Sequence, residues 1–452
     1  MGFSRSAGLA ARALLAGSLL AGWMACSDPD PGVAPDASAA SGTGGRVLVV
    51  GIDGASPRIV APLIQAGRLP NLGAIAQRGV HSRLRAHKPI TSPRIWTSMA
   101  TGMGPNRHGI LEFGYKDGAG VRHLFTSTER KVPALWNIAS AAGRSVAVVN
   151  WWNTYPVERI HGVVVSDHLL ASDIEGRRRI TGASDPTAGP VAWPPEWNER
   201  VHALLADDAP LTEVPNPFAQ PDALPGWSRP ERLSRRYEND ADVVRIALAI
   251  EAAEHPDLML VFLPGIDRVS HVLWATIEPE SAYRNPMPMT PETRAAGAEA
   301  LHAYYAYTDA LIGRLLERYG EQDRVLVVSD HGFEAGQKLG YLTGVHESDA
   351  AVDGVLFAGG PGITVAPGPI PSVNDVTPTV LAWMGLPAAR DMEGRPAAFL
   401  AREDIAWVES HGDTPVDRLA ARPSGAEAEI LEQLESLGYL EREGEADAET
   451  RR

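Results

Sequence analysis

The chain has 452 residues, 44% hydrophobic and 21% charged, with 41 Lys and Arg against 56 Asp and Glu for a formal net charge of -15. That composition supports a large core and excludes a disordered or fibrous chain, and the negative charge, with no basic stripe, argues against a nucleic-acid polymer as partner. A single cysteine, Cys26, excludes an intrachain disulfide.

Residues 1–26, MGFSRSAGLAARALLAGSLLAGWMAC, put Arg5 and Arg12 before an apolar run and small residues before Cys26. This is the layout of an export signal, with an apolar run too short to span a bilayer comfortably. The WMAC end resembles a bacterial lipobox, so Cys26 is the expected lipidated first residue of an exported protein anchored at the bacterial cell envelope. Trp23 stands where a lipobox usually has Leu, which leaves ordinary signal cleavage open. Residues 27–45 read as a flexible tether, with no apolar periodicity.

From Arg46, RVLVVGID is a continuous apolar run closing on Asp53, which suits a strand buried on both faces of a parallel sheet. PRIVAPLIQAG follows with helical spacing and stops at Gly67. The strand signal recurs at 145–150, 257–265 and 324–332, and helices are expected at 132–142, 240–254, 292–319 and 375–384. This alternation predicts an α/β sandwich with a largely parallel central sheet flanked by helices, whose ligands gather at the carboxyl ends of the strands. The main domain is expected over 46–400. Within it, residues 168–238 break the pattern with Pro, Trp and charge, and are expected to form a cap. The extension 401–452 carries Ile430, Leu431, Leu434 and Leu437 at the spacing of a docking helix.

Metal-ligand residue types recur at the predicted strand ends. Asp53 ends the first strand, Asp267 and His271 follow the third, Asp330 and His331 follow the fourth, and His346 lies just beyond in GVHESD. Asp267 and His271 stand four apart, so one helical turn puts both on one face. Three carboxylates and three histidines exceed one tetrahedral zinc and suit two divalent ions. KPITSPRIWTSMATG adds a loop and a helix starting near Pro93 and closing at Gly102. A hydroxyl there, on Ser92 or Thr91, has the helix amides and dipole at hand, which favour anionic oxygen.

Taken in order, VVGIDGA, WTSMATG with PNRHGI, NTYPV, IDRVSH, VSDHGF, GVHESDAAVDGVLFAGGPGI and NDVTPTVLAWMGLP with DMEGRP resemble the type I phosphodiesterase and nucleotide pyrophosphatase family of the alkaline phosphatase superfamily. The resemblance implies one metal, usually zinc, on Asp53, Ser92, Asp330 and His331, and a second on Asp267, His271 and His346. It also implies attack by a hydroxyl on the phosphorus of a small phosphate ester and a covalent phospho-enzyme. Counting back from WTSMATG places Ser92 at the nucleophile position, whereas aligning on Pro93 places Thr91 there; a gap inside the helix would rotate its side chains, which favours Ser92. Arg94 stands where nucleotide pyrophosphatases have a phosphate-contacting Asn, so a guanidinium that pairs with phosphate oxygens and a monoesterase activity remain open, with Lys88 a weaker candidate. The sulfatase nucleophile motif needs Pro and Arg two and four residues on, where this chain has Arg94 and Trp96. A sulfatase-like hydrolase is thereby disfavoured, and a catalytically silent metal-containing binding protein would have to keep every expected ligand without using it.

Overall fold

The computed structural model describes residues 45–169, 188–206, 209–364, 368–400 and 405–440. Cys26, the export signal and all of the tether but its last residue, Gly45, lie outside the described residues. No helix among the described residues is long and apolar enough to cross a membrane.

The frame is an eight-stranded sheet of β1 (Val47–Ile52), β2 (Val80–Arg85), β3 (Val146–Val149), β4 (Gly162–Val165), β5 (Ala192–Trp193), β6 (Leu258–Leu263), β7 (Arg324–Val328) and β8 (Asp353–Gly359). The spatial order is β2-β8-β7-β1-β6-β3-β4-β5. The five inner strands, β7 to β4 in that order, are mutually parallel. At one edge β8 runs antiparallel between β7 and β2, so that β2 again follows the inner strands' direction, and at the other edge β5 runs antiparallel to β4. Leu48, Val50 and Ile52 of β1 enter one buried core and Val47 and Val49 the other, so the strand needs apolar side chains on both faces.

Helices cover both faces: α1 (Pro57–Gln65), α2 (Pro70–Arg78), α3 (Ser92–Thr101), α4 (Leu135–Ala141), α5 (Pro195–Leu204), α6 (Pro230–Glu254), α7 (Gly265–Leu273), α8 (Pro291–Leu316), α9 (Val376–Trp383) and α10 (Glu427–Ser436). Ile59, Leu72, Val244 and Leu311 of α1, α2, α6 and α8 pack on one face, and Trp96, Ile138 and Val380 of α3, α4 and α9 on the other. This is the α/β sandwich with a largely parallel central sheet expected from the sequence.

Helix α6 begins ten residues before the predicted 240, because Leu233 is buried and the polar run between carries the helix without an apolar signature. Within the expected cap, β5 extends the sheet edge, while α5 buries Trp197 and Val201 in the core. Of the described residues within 168–238, only His168 lines the cavity described below. Helix α10 packs Leu434 on Phe113 and Leu124, with Ile430, Leu431 and Tyr439 around them.

Candidate active site

The three central strands β7, β1 and β6 end side by side, and the turns after them supply Asp330 and His331, Asp53, and the start of α7 with Asp267. All seven expected ligands, Ser92 included, are buried. Nε2 of His331 stands 3.4 Å from Asp53 Oδ1, 3.4 Å from Asp330 Oδ2 and 3.9 Å from Asp267 Oδ1. Nε2 of His346 is 3.8 Å, and that of His271 3.3 Å, from the same Asp267 oxygen. The pair on α7 therefore shares one helix face, as its spacing of four predicts.

Among the described residues, two groups have ligand atoms close enough to share one ion: Asp53, Asp330 and His331, and Asp267, His331 and His346. The first contains three of the four residues that the resemblance implies for one metal, without Ser92. In the second, His331 takes the place expected for His271. Nδ1 of His271 donates to the Gly344 carbonyl at 2.8 Å, which leaves the Nε2 lone pair facing Asp267. Nδ1 of His331 donates likewise to the Gly332 carbonyl at 2.9 Å.

The electrostatics fit cations. Asp330 Oδ2 and His331 Nε2 are buried without hydrogen-bond partners. Burial, reinforced by repulsion from neighbouring carboxylates, raises the carboxyl groups of Asp330 and Asp53 above their ordinary range. Burial opposes the charge on His331, yet Asp330, Asp53 and Asp267 outweigh it and lift the imidazole to about 10. Burial also opposes the charge of Asp267, but His271, His346 and His331 hold its carboxyl below the usual range. Burial, with His331 and His271 nearby, pushes His346 well down. Three buried carboxylates and three buried imidazoles, whose ring nitrogens bind a cation in place of a proton, are a donor set for divalent ions.

Ser92 opens α3, and its hydroxyl lies 3.4 Å from Asp53 Oδ1. The helix rests close on β1 because Gly51 has no side chain: a Cβ there would stand 2.5 Å from Trp96. Gly102 ends the helix at φ +68°, in the left-handed conformation that glycine favours. Ser92 lines the cavity beside Asp53 and Asp267, whereas Thr91 does not. Neither does Arg94, which lies beside His87, His108 and Glu112. Lys88 pairs with exposed Asp349 at 2.7 Å.

Sequence reasoning missed Arg268, Gln433 and Tyr439, all of which line this cavity. The Tyr439 hydroxyl lies 2.5 Å from His271 Nε2, 3.0 Å from His346 Nε2 and 3.2 Å from Asp267 Oδ2. Burial and the nearby carboxylates keep it a neutral phenol. Phe113, Phe125, Trp152 and Phe262 give the cavity an aromatic side. Arg268 sits inside the IDRVSH motif, but nothing in its spacing marks which way it faces.

In structure the chain is similar to a 2-O GAG sulfatase, at 14% identity and a TM-score of 0.50 over 79% of this chain and 74% of that one. Human ectonucleotide pyrophosphatase/phosphodiesterase 5 aligns at 13% identity and a TM-score of 0.44, over 77% of this chain and 97% of that one. Phosphonoacetate hydrolase from Sinorhizobium meliloti 1021 aligns at 18% and 0.39, over 65% of this chain and only 58% of its own length. The first of these likenesses bears on the fold alone. No curated protein sequence matches the chain. The sequence profile of the family described as type I phosphodiesterase / nucleotide pyrophosphatase, however, matches residues 47–381, from β1 into α9 and across every expected ligand. The chain therefore belongs to the type I phosphodiesterase/nucleotide pyrophosphatase family of the alkaline phosphatase superfamily.

Proposed function

We propose that the protein is a two-metal phosphodiesterase with Ser92 as nucleophile. The observation that carries this reading is the convergence of Asp53, Asp267, Asp330, His271, His331, His346 and Ser92 at the carboxyl ends of three adjacent strands. Asp53, Asp330, His331 and Ser92 would hold one ion; Asp267, His346 and a histidine shared or supplied by His271 would hold the other. Zinc is the ion that the mixed carboxylate and imidazole set favours, with manganese acceptable to the same donors. When bound, the cations supply positive charge that ionises a hydroxyl near neutral pH and offsets the charge of the transferring phosphoryl group.

The chain's own residues do the rest. Asp53 orients the Ser92 hydroxyl, and the start of α3 directs its dipole at the phosphoryl oxygens. Ser92 Oγ forms a bond to phosphorus as the ester P–O bond breaks, and the leaving oxygen takes a proton. Water then attacks phosphorus, the Oγ–P bond breaks, and Ser92 regains its proton. The aromatic side of the cavity suits an organic ester group flanking the phosphorus, which supports a diester over a bare phosphate.

Hydrolysis of an aryl phosphate diester, the matching monoester and an aryl sulfate, with zinc and after chelation, tests the assignment. Zinc-dependent diester turnover well above the other two is the expected result. Monoester preference, or turnover of the sulfate alone, would overturn it. We also propose, from the sequence of residues 1–26, that Cys26 carries a lipid anchor at the cell envelope. Cys26→Ser would then move the protein from the membrane to the soluble fraction.

A further inference from the structure

The segment that carries Tyr439 is closed at both ends by its own residues. The Glu427 carboxylate accepts from the amides of Ser424 at 2.6 Å and Gly425 at 3.0 Å, which caps the start of α10. Gly438, at φ +69°, ends the helix, and the Tyr439 amide turns back to the Leu434 carbonyl at 3.0 Å. The helix therefore keeps both caps whether it is docked or not.

Its hold on the rest of the molecule is lopsided. Just before it, Tyr155 donates to the Arg422 carbonyl at 2.5 Å, the Gly189 amide donates to the Pro423 carbonyl at 2.9 Å, and Ser424 Oγ lies 2.8 Å from His168 Nδ1. Gly425 follows at φ +81°, with open space where a side chain would stand. Beyond it, among the described residues of α10, Leu434 is the one fully buried apolar side chain. It seats with Phe113 and Leu124 in a small cluster apart from the two cores of the sheet. The other contacts are polar: Tyr341 donates to the Ser436 carbonyl, and the Gln433 carboxamide, its oxygen turned toward them, accepts from Arg236 and Arg268. An element held by so little apolar burial opens at low cost.

The far end of this segment reaches the site. The Tyr439 ring stacks on Phe113 with centroids 4.4 Å apart, and its hydroxyl stands 2.5 Å from His271 Nε2, 3.0 Å from His346 Nε2 and 3.2 Å from Asp267 Oδ2. These are the three residues expected for the second ion. Nδ1 of His271 donates to the Gly344 carbonyl, so the phenol donates to Nε2 and takes the lone pair that a cation would need. A proton donor and a cation on that one lone pair exclude each other.

We propose that residues 427–440 are an internal inhibitor of the active site: docked, they hold the second ion's ligands through Tyr439, and an ion bound there releases them about Gly425. The proposal rests on Asp267, His271 and His346 as ligands of one ion, not on the reaction. Linkage makes the two events reciprocal, because an ion loosens the helix by the same factor by which a loosened helix tightens the ion.

The test is hydrogen exchange over 427–440 of the full chain, read by mass spectrometry with and without saturating zinc, together with zinc affinity against a competing chelator. Zinc should speed exchange over 427–440 by about threefold or more, while peptides of β1 and β6 exchange no faster. Leu434→Gln, which loosens the seat without touching a ligand, should raise zinc affinity by about threefold or more. Tyr439→Phe should raise it about fivefold and leave exchange over 427–440 nearly independent of zinc. Exchange that zinc leaves unchanged or slows in the unsubstituted chain, or weaker zinc binding in either variant, would overturn the inhibitor while the two-metal site stands. Zinc binding in none of the three proteins would overturn the site and the inhibitor together. Release of α10 by zinc with no aryl ester turned over would sink the reaction and leave the inhibitor in place.

Discussion

At the scale of single residues, the choice of Ser92 over Thr91 rests on which hydroxyl shares the cavity with Asp53. If Ser92 is the nucleophile, Ser92→Ala lowers kcat for the diester by roughly 1,000-fold or more, whereas Thr91→Ala stays within about tenfold. Zinc content measured on both variants separates lost chemistry from lost metal. Tyr439 gives a second prediction. Its hydroxyl donates to His271 Nε2 and stands against His346 and Asp267, and so engages the atoms that would hold an ion. Tyr439→Phe frees the His271 lone pair, and zinc affinity measured against a competing chelator should rise about fivefold, the worth of one net hydrogen bond. Weaker binding in the variant would mean that the phenol supports the ion instead.

At the scale of elements, α3 illustrates how a strand sets a catalytic group. Trp96 lies one turn beyond Ser92, wedged between Gly51, Trp151 and Phe262. A methyl on Gly51 forces the indole and its helix outward, at a cost of about 1–3 kcal/mol. Gly51→Ala should therefore lower the melting temperature and, by moving Ser92, reduce kcat by roughly 10- to 100-fold. Unchanged kcat with a lowered melting temperature would show that the helix absorbs the strain without moving its start.

The same scale shows what was legible beforehand. Strands β1, β3, β6 and β7 announce themselves because both faces are buried and their residues, after Arg324 at the start of β7, are apolar. Strand β2, VHSRLR, gives no such signal: it is an edge strand whose exposed Arg85 pairs with Asp353 of β8, and only Leu84 is fully buried. The ligand residues were legible because they follow strong strands at fixed offsets. Arg268, Gln433 and Tyr439 were not, since their place in the cavity depends on where α10 packs, which no local pattern encodes. Arg94 misleads for a related reason: its position on α3 is readable, but the side it presents is set by His87, His108 and Glu112 around it.

At the scale of the whole molecule, stability and metal content are linked through pH. Without cations, His331 lifted to about 10 contributes stability that is complete below its unfolded value near 6.5 and is lost as pH rises through about 10. Asp330 and Asp53, both raised, act in the same sense, because the folded chain then binds more protons than the unfolded one and loses stability as pH rises above the ordinary carboxylate range. Cations replace those protons. The fall in melting temperature on chelation should therefore be larger at pH 9 than at pH 6, as read by calorimetry on loaded and chelated protein. An equal fall at both would remove these residues as the ligands.

The wall built by α10 also fixes an order of events during synthesis. His346 is the last of the seven candidate ligands along the chain, and residues 427–440 come well after it. A chain emerging from its N-terminus thus exposes the full ligand set while that side of the cavity is still open to solvent. Ions present at that moment can enter without displacing Tyr439, so a protein refolded whole and one folded as it is made will differ in how quickly they load.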